Sequence, residues 1–405
     1  MSYDVAVIGA GVIGVAVARA IAQDDPKLKV AVFEKEAACA WHTSGRNSGV
    51  VHAGFNLKPG SLKARFCVEG NRRLSEYCQT NKILYLATGT VVVALDAGQE
   101  KILDELFERG TQNGVPGLRR VDAKTLKVLE PNAQGVGALH APTGAIVDTK
   151  AFVRSLAQEA REKNVHFYFV HEVDAIERQR GAWQVRIRHG GGATETFESR
   201  LLVNCAGLYA DKIAHMQGVG LGFSIFPFRG QYFYIRPEKS GIINSMVYPV
   251  PDLKYPFLGV HWTKKIDGRT AIGPNAMLAL GRESYHPWDI HAMETLQMLL
   301  SRNFLALMGQ PSFQRLALKQ IELSLSRDAF ARDAALLVRG AVVDDFSAGK
   351  AGNRAQLVGR DGKMVDDMLV ITAEGAVHVL NAVSPGFTSS MPFAEHVAGL
   401  LKAQV

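Results

Sequence analysis

Apolar residues near the N-terminus fall into short runs separated by polar or glycine-rich turns. The runs at 4–8 and 28–33 have the length of buried strands, and residues 12–23 between them have the composition of a helix. Three more buried strands are predicted later in the chain, at 201–207, 367–372 and 377–380. Strands that alternate with helices in this way predict an α/β domain.

The middle of the chain has a different pattern. Strands rich in aromatic residues are predicted at 231–235 and 257–263, and two long helices follow at 291–308 and 312–333. Because strands and helices do not alternate here, we expect an α+β domain, an antiparallel sheet with helices packed on it. The simplest division assigns 1–80, 145–225 and 345–405 to the α/β domain and 81–144 and 226–344 to the inserted domain.

The remaining elements follow from the same periodicities. Helices are predicted at 61–80, 99–112, 149–163 and 391–403, with a further one from 209 onward and a short helix and turn at 121–131. Strands are predicted at 85–95, 165–170 and 173–178, and a hairpin over the glycines at 190–192 joins 183–188 to 194–198.

Three glycines and an acid complete the first strand–helix–strand unit. Gly9, Gly11 and Gly14 lie between the first strand and the helix, and Glu34 ends the second strand. Gly9 suits a tight turn, Gly11 a close approach of pyrophosphate, and Gly14 the packing of helix on strand. Glu34 is placed to accept hydrogen bonds from ribose hydroxyls, and the helix N-terminus attracts phosphate. The unit therefore predicts a binding site for an adenosine dinucleotide.

Composition and charge narrow the class of protein. The 405 residues carry a net charge of +7, which favours an anionic substrate or a membrane surface as partner. Nucleic acid is not expected as a partner, because the basic residues are scattered rather than arrayed with aromatic ones. The four cysteines have no metal-ligand spacing, so no metal site is predicted. With no leader and no apolar run of eighteen residues, we expect a cytoplasmic protein, either soluble or peripheral on the inner face of a membrane.

The interrupted nucleotide domain favours FAD over a nicotinamide cofactor, and a resemblance supports this. Residues 44–55 resemble the flavin-contacting segment of the D-amino-acid oxidase superfamily, and within it most closely the L-2-hydroxyglutarate dehydrogenases and oxidases. Further stretches resemble the same family: 58–64, 112–118, 227–230, 248–252, 256–261, 272–276, 354–356 and 381–390. The resemblance implies a Rossmann-like FAD-binding domain in several segments with an inserted antiparallel-sheet substrate domain.

Residues expected to hold FAD come from the unit of three glycines and an acid and from the resemblance. The polar loop that begins at Thr43 suits the pyrophosphate and flavin edge, Val173 pairs its backbone with adenine in related proteins, and the turn before the last helix faces the flavin N1 side. The expected FAD contacts are Gly9, Gly11, Gly14, Glu34, Lys35, Thr43, Ser44, Arg46, Asn47, Ser48, Gly49, Val173, Ala206, Gly207, Gly386, Phe387 and Thr388.

Three residues are candidates for the chemistry. A guanidinium can bind a carboxylate through two parallel hydrogen bonds, and the resemblance places Arg354 beside the flavin. A neutral imidazole can take a hydroxyl proton near pH 7, and both His52 and His261 are candidates for that base. The sequence does not choose between the two histidines.

The resemblance implies the oxidation of L-2-hydroxyglutarate, a small dicarboxylate, to 2-oxoglutarate by hydride transfer to flavin N5. The electrons would then pass to a quinone or to oxygen. Two alternatives remain open: an enzyme of the same superfamily that acts on an amine, an amino acid or glycerol 3-phosphate, and a flavoprotein-like binding protein without activity. The helical stretch 291–333 either packs into the core or offers a peripheral membrane face.

Overall fold

The computed structural model describes residues 1–189, 191–251 and 259–404, with the backbone alone for Leu325. The predicted motif residue Asp252, the motif stretch 256–258, the start of the strand predicted at 257–263, and Gly190 lie outside the described residues. The described chain is a mixed α/β structure, as predicted from the alternation of strands and helices.

Eleven helices and twenty-two strands occur in the described part of the chain. The helices are α1 Val12–Asp24, α2 Leu62–Thr80, α3 Ala97–Gln112, α4 Ala123–Leu129, α5 Thr149–Arg161, α6 Ala210–His215, α7 Ala292–Leu299, α8 Arg302–Met308, α9 Pro311–Leu325, α10 Arg327–Ala335 and α11 Ser390–Lys402. The strands are β1 Ser2–Ile8, β2 Val30–Glu34, β3 Val50–Val51, β4 Tyr85–Leu86, β5 Thr90–Ala94, β6 Arg119–Asp122, β7 Gly137–Ala141, β8 Ala145–Val147, β9 Val165–Phe169, β10 Glu172–Gln179, β11 Ala182–Arg188, β12 Thr194–Asn204, β13 Phe223–Gly230, β14 Phe233–Ile235, β15 Met246–Pro249, β16 His261–Lys264, β17 Thr270–Gly273, β18 Met277–Leu278, β19 Phe346–Ala348, β20 Gly352–Gly359, β21 Leu369–Ala373 and β22 Ala376–Asn381.

The first sheet is parallel at its centre. Strands β9, β2, β1, β12 and β22 lie side by side in this order, and all four pairings are parallel. Helices α1, α5 and α11 pack on this sheet through a shared apolar core. Strand β12 also pairs with the antiparallel strand β11, which in turn pairs with β10. The second strand of the predicted hairpin, 194–198, and the strand predicted at 201–207 therefore form one continuous strand, β12, which ends at Asn204. This sheet places the carboxyl ends of β1 and β12 beside the start of α1.

The second sheet combines two distant parts of the chain. Its order is β19-β14-β17-β16-β15-β5-β7-β6, and the parallel pair β15–β5 joins the two parts. Trp262 is fully buried at its centre and donates its indole N–H to the Ala334 carbonyl oxygen at 3.0 Å. The sheet is mostly antiparallel and carries helices, as predicted. The domain boundaries themselves stay a prediction.

The prediction of two long helices at 291–308 and 312–333 is wrong. The first is broken into α7 and α8 and the second into α9 and α10. Ser301 begins α8 as its N-cap, and the Ser326 hydroxyl accepts a hydrogen bond from the Ala329 N–H at the start of α10. Serine competes for backbone hydrogen bonds, so it favours a new helix start over the interior of a long helix.

Other differences concern strands. The strand predicted at 85–95 is interrupted, because Gly89 has a φ of +71°, which turns the chain between β4 and β5. Ten strands of the described chain were not predicted: β3, β6, β7, β8, β13, β15, β17, β18, β19 and β20. Among the described residues, we find no helix long and apolar enough to cross a bilayer.

Candidate active site

The glycine turn after β1 has the tight geometry that its sequence predicts. Gly9 has a φ of +98°, in the left-handed region, and a Cβ there would lie 2.6 Å from the Cys205 carbonyl oxygen. A Cβ on Gly14 would lie 1.9 Å from the Gly9 carbonyl oxygen. Neither position admits a side chain, so strand β1, helix α1 and the end of β12 approach more closely than other residues would allow.

Helix α1 begins at the wall of a large cavity. Its N-cap is Gly11, which offers no side chain to cap the helix, and Gly11, Val12 and Ile13 all line the cavity. The Val12 N–H donates to the Ser44 hydroxyl at 2.9 Å. Such a helix start presents amide donors and a positive dipole to an anion. The residues present therefore fit the pyrophosphate of a dinucleotide.

Glu34 ends β2 beside the same turn. Its carboxylate accepts the Ala10 N–H at 2.8 Å and the Glu36 N–H at 3.0 Å, one on each oxygen. Each oxygen keeps a free lone-pair direction for a ribose hydroxyl. Burial raises the pKa of Glu34 against the lowering effect of these two amides. This position fits the predicted role of the acid.

The cavity has a volume of about 870 Å³, within the range of small-molecule and cofactor sites. Thirteen of the predicted site residues line it: Gly11, Thr43, Ser44, Arg46, Asn47, Ser48, His52, Gly207, His261, Arg354, Gly386, Phe387 and Thr388. The other predicted residues lie outside its lining: Gly9, Gly14, Glu34, Lys35, Gly49, Val173 and Ala206. The roles of all of them stay predictions.

Lys35 and Arg46 are held by partners within the protein. The Lys35 ammonium contacts the carboxylates of Glu36 and Glu283, the latter at 2.6 Å. The Arg46 guanidinium lies 3.9 Å from the centre of the Tyr285 ring. Both contacts connect the predicted FAD-binding segments to the loop 281–291, which reaches over from the other part of the chain. The contacts favour a structural role for these two side chains.

His52 is fixed by the segments on either side of it. Its backbone N–H donates to the Thr388 hydroxyl at 3.0 Å, and its backbone carbonyl oxygen accepts from the Asn71 side-chain amide in α2 at 3.1 Å. Burial, helped by the charge of Lys63, lowers the pKa of His52 to about 4. The imidazole is therefore neutral at pH 7 and can accept a proton.

His261 begins β16 on the opposite wall. Its side chain is almost fully buried, and its Nδ1 lies 2.8 Å from the Gly259 carbonyl oxygen. Because a carbonyl can only accept, Nδ1 carries the proton and Nε2 keeps a free lone pair. Burial, with smaller contributions from His52 and Lys265, lowers the pKa of His261 to about 3, against the raising effect of the hydrogen bond to Gly259. His261 also packs its ring against Tyr248, with centroids 4.2 Å apart.

Arg354 lies in β20, opposite Phe228 of β13 in the antiparallel pair. It lines the cavity, and burial lowers its pKa to about 10 while the Asp366 carboxylate raises it. A guanidinium with this pKa still carries its charge at pH 7. The three predicted chemical groups, two neutral imidazoles and one buried cation, therefore line one cavity.

Two lysines whose ammonium groups are desolvated were not predicted as site residues: Lys63, which is buried, and Lys265, which is half-buried. Lys63 lines the cavity from α2, and Lys265 donates its ammonium to the Ser48 carbonyl oxygen at 2.7 Å. Lys63 lies within the motif at 58–64, which was a signal for it. Nothing in the sequence near Lys265 indicates that its ammonium is desolvated, since lysine is almost always exposed.

Comparisons with known proteins identify the family of this chain. Residues 4–400 match the family model of FAD dependent oxidoreductases. The L-2-hydroxyglutarate dehydrogenase of Indibacter alkaliphilus is 39% identical over 399 residues, covering 96% of this chain and 96% of that protein. The mitochondrial L-2-hydroxyglutarate dehydrogenase of Homo sapiens is 36% identical over 411 residues, covering 98% of this chain and 88% of that protein.

Solved structures show the same fold at lower identity. The L-α-glycerophosphate oxidase of Mycoplasma pneumoniae, solved with FAD bound, has a TM-score of 0.79 at 23% identity, covering 99% of this chain and 95% of that chain. The glycine oxidase of Geobacillus kaustophilus has a TM-score of 0.70 at 18% identity, covering 100% and 95%. The chain therefore belongs to the FAD-dependent oxidoreductases, with FAD as its cofactor, and within them to the L-2-hydroxyglutarate dehydrogenase family.

Proposed function

We propose that this protein oxidises L-2-hydroxyglutarate to 2-oxoglutarate. The observation that carries the proposal is the grouping of a buried guanidinium and two neutral imidazoles in one cavity beside the nucleotide turn. Bound FAD would supply the acceptor for the hydride that leaves C2. The residues of the chain must then hold the substrate and remove its hydroxyl proton.

Arg354 binds the C1 carboxylate, because its planar guanidinium matches two carboxylate oxygens. His261 takes the hydroxyl proton at Nε2, the nitrogen left free when Nδ1 binds the Gly259 carbonyl. His52 hydrogen-bonds the substrate from the other side. Its backbone is fixed by Thr388 and Asn71, so its ring starts from a defined position.

The test is anaerobic reduction of the FAD-loaded protein, followed at the flavin absorbance band. L-2-hydroxyglutarate should bleach the flavin, whereas sarcosine, D-amino acids and glycerol 3-phosphate should not. Removing the general base as His261→Gln should slow bleaching by about 10²- to 10⁴-fold. His52→Gln is the matched variant. It should slow flavin bleaching less than His261→Gln does, and it should raise more strongly the substrate concentration at which bleaching is half-maximal. No bleaching by L-2-hydroxyglutarate would refute the substrate assignment.

For the electron acceptor we propose a quinone, reached at a membrane surface. Helices α7 and α8 and the preceding loop expose a group of large apolar side chains, here called the α7–α8 surface: Trp288, Ile290, Met293, Leu296, Leu299, Leu300 and Leu305. Trp288 is 87% exposed and Leu300 is 70% exposed. Exposed Arg302 lies on α8, and exposed Arg315 and Lys319 lie on the next helix, α9. Exposed apolar side chains together with cations on neighbouring helices are typical of a protein that lies on an anionic bilayer.

Binding to vesicles tests this surface directly. The FAD-loaded protein should sediment with vesicles that contain anionic lipid, and the double variant Trp288→Ser, Leu300→Gln should bind them at least tenfold more weakly. Val128→Gln, which removes a side chain that is also 76% exposed but lies on α4, is the control and should bind normally. Quinone reduction with vesicles should exceed hydrogen peroxide formation. If hydrogen peroxide formed in the same amount as substrate was consumed, the assignment of a quinone as electron acceptor would be refuted.

A further inference from the structure

Lys63 is a buried cation in the cavity wall that has no role in the function proposed above. It is the second residue of α2, and its side chain is 7% exposed. It lines the same cavity as His52 and Arg354, and its charge lowers the pKa of His52. Buried lysines are rare unless they are paired, so this one requires an explanation.

The ion-pair partner of Lys63 is unusual in its exposure. Lys63 Nζ lies 3.0 Å from Asp366 Oδ1, yet the Asp366 side chain is 69% exposed. Asp366 also acts on Arg354, whose pKa it raises. One solvated carboxylate therefore faces two buried cations. A solvated carboxylate contributes little to such a pair, so another carboxylate could replace it at low cost.

The backbone around Lys63 holds its side chain in place. The Asp367 carboxylate accepts the Leu62 N–H at 3.1 Å and the Lys63 N–H at 2.9 Å, and the Ser61 hydroxyl caps the helix at Ala64. Because both Asp367 oxygens accept amide hydrogens, this carboxylate serves the helix start. Asp366, which forms the ion pair with Nζ, thus contributes most to neutralising the ammonium, and Asp367 contributes less.

We propose that Lys63 binds the second carboxylate of the substrate, at C5, and displaces Asp366 when it does so. The inference rests on the proposed oxidation of L-2-hydroxyglutarate, in which Arg354 holds the C1 carboxylate. An ammonium is a compact charge that binds a carboxylate without the planar match of a guanidinium, which suits the flexible end of the substrate. Lys63 then determines the preference for a dicarboxylate over a monocarboxylate.

The test compares L-2-hydroxyglutarate with L-2-hydroxypentanoate, which has the same five carbons without the C5 carboxylate. Lys63→Met should lower kcat/KM for the dicarboxylate by about 10- to 100-fold, mainly through KM, because a hydrogen bond between charged groups is lost. The loss of kcat/KM for the monocarboxylate should be clearly smaller than the loss for the dicarboxylate. Lys63→Arg, which keeps the charge, should restore part of the preference. An equal loss for both substrates would overturn the inference.

A second variant keeps the test informative if Lys63→Met does not fold. Asp366→Asn removes the competing carboxylate, so glutarate, a non-reacting dicarboxylate, should bind more tightly to the FAD-loaded protein, measured by the shift of the flavin spectrum. Unchanged or weaker binding would contradict the displacement of Asp366. If the unmodified protein does not oxidise L-2-hydroxyglutarate, the proposed function fails; if it does and Lys63→Met keeps the preference, only this inference fails.

Discussion

Replacing Lys265 should change how the stability of the protein depends on pH. Its ammonium donates to the Ser48 carbonyl oxygen and lies 5.2 Å from the centre of the Tyr232 ring. Burial lowers the pKa of Lys265 from 10.5 to about 8, against a raising effect from Asp267. Lys265→Met removes the titrating group and keeps a side chain of similar length.

The sign of the effect follows from proton binding. Between pH 8 and pH 10.5 the unfolded chain holds a proton on Lys265 that the folded chain has lost, so the free energy of unfolding rises with pH in this window. At about 1.4 kcal/mol for each pH unit, the rise amounts to roughly 3 kcal/mol. The variant lacks this rise but loses the hydrogen bond to Ser48, worth about 1 kcal/mol. It should therefore be more stable than the unmodified protein at pH 7 by roughly 2 kcal/mol, and slightly less stable above pH 10.5.

Urea unfolding of both proteins at a fixed excess of FAD measures this difference. The midpoint of Lys265→Met should exceed that of the unmodified protein at pH 7, and the difference should shrink or reverse at pH 10. Lys264→Met, the same change one residue earlier at the end of β16, is the control and should leave the pH dependence unaltered. A difference between Lys265→Met and the unmodified protein that stays constant with pH would show that the ammonium is not desolvated.

Two further predictions concern the cofactor turn and the histidines. Gly14→Ala should yield protein without the yellow flavin absorbance, because the new Cβ would lie 1.9 Å from the Gly9 carbonyl oxygen, whereas Gly399→Ala in α11 meets no atom within 4 Å and should keep its FAD. The rate of flavin reduction should show no decrease as the pH falls from 7 to 5, since His52 and His261 have pKa values of about 4 and about 3 and stay neutral over this range. Stopped-flow absorbance measures it, and a decrease centred near pH 6.5 would mean that the base has an ordinary imidazole pKa.

The sequence by itself determined the nucleotide turn. β1, α1 and β2 begin and end within two residues of their predicted bounds, and Gly9 and Gly14 have the close contacts that their pattern predicts. The contact of Gly14 with Gly9 joins residues within the first thirty-four, so local steric rules were enough for it. The close contacts of Gly9 are with Cys205 and Ala206, which the sheet brings beside the turn. The family followed from short motifs spread along the chain.

Only the tertiary structure decided which residues form the wall of the cavity. Arg354 reaches it through the pairing of β20 with β13, and Lys63 through a helix start that Asp367 holds from three hundred residues away in the chain. Exposure and pKa depend on what surrounds a side chain in space, and that was not available from the residue types. The sequence left open whether the stretch 291–333 is core or surface for the same reason: apolar spacing alone does not say whether another element covers a helix face, and the structure exposes Leu300.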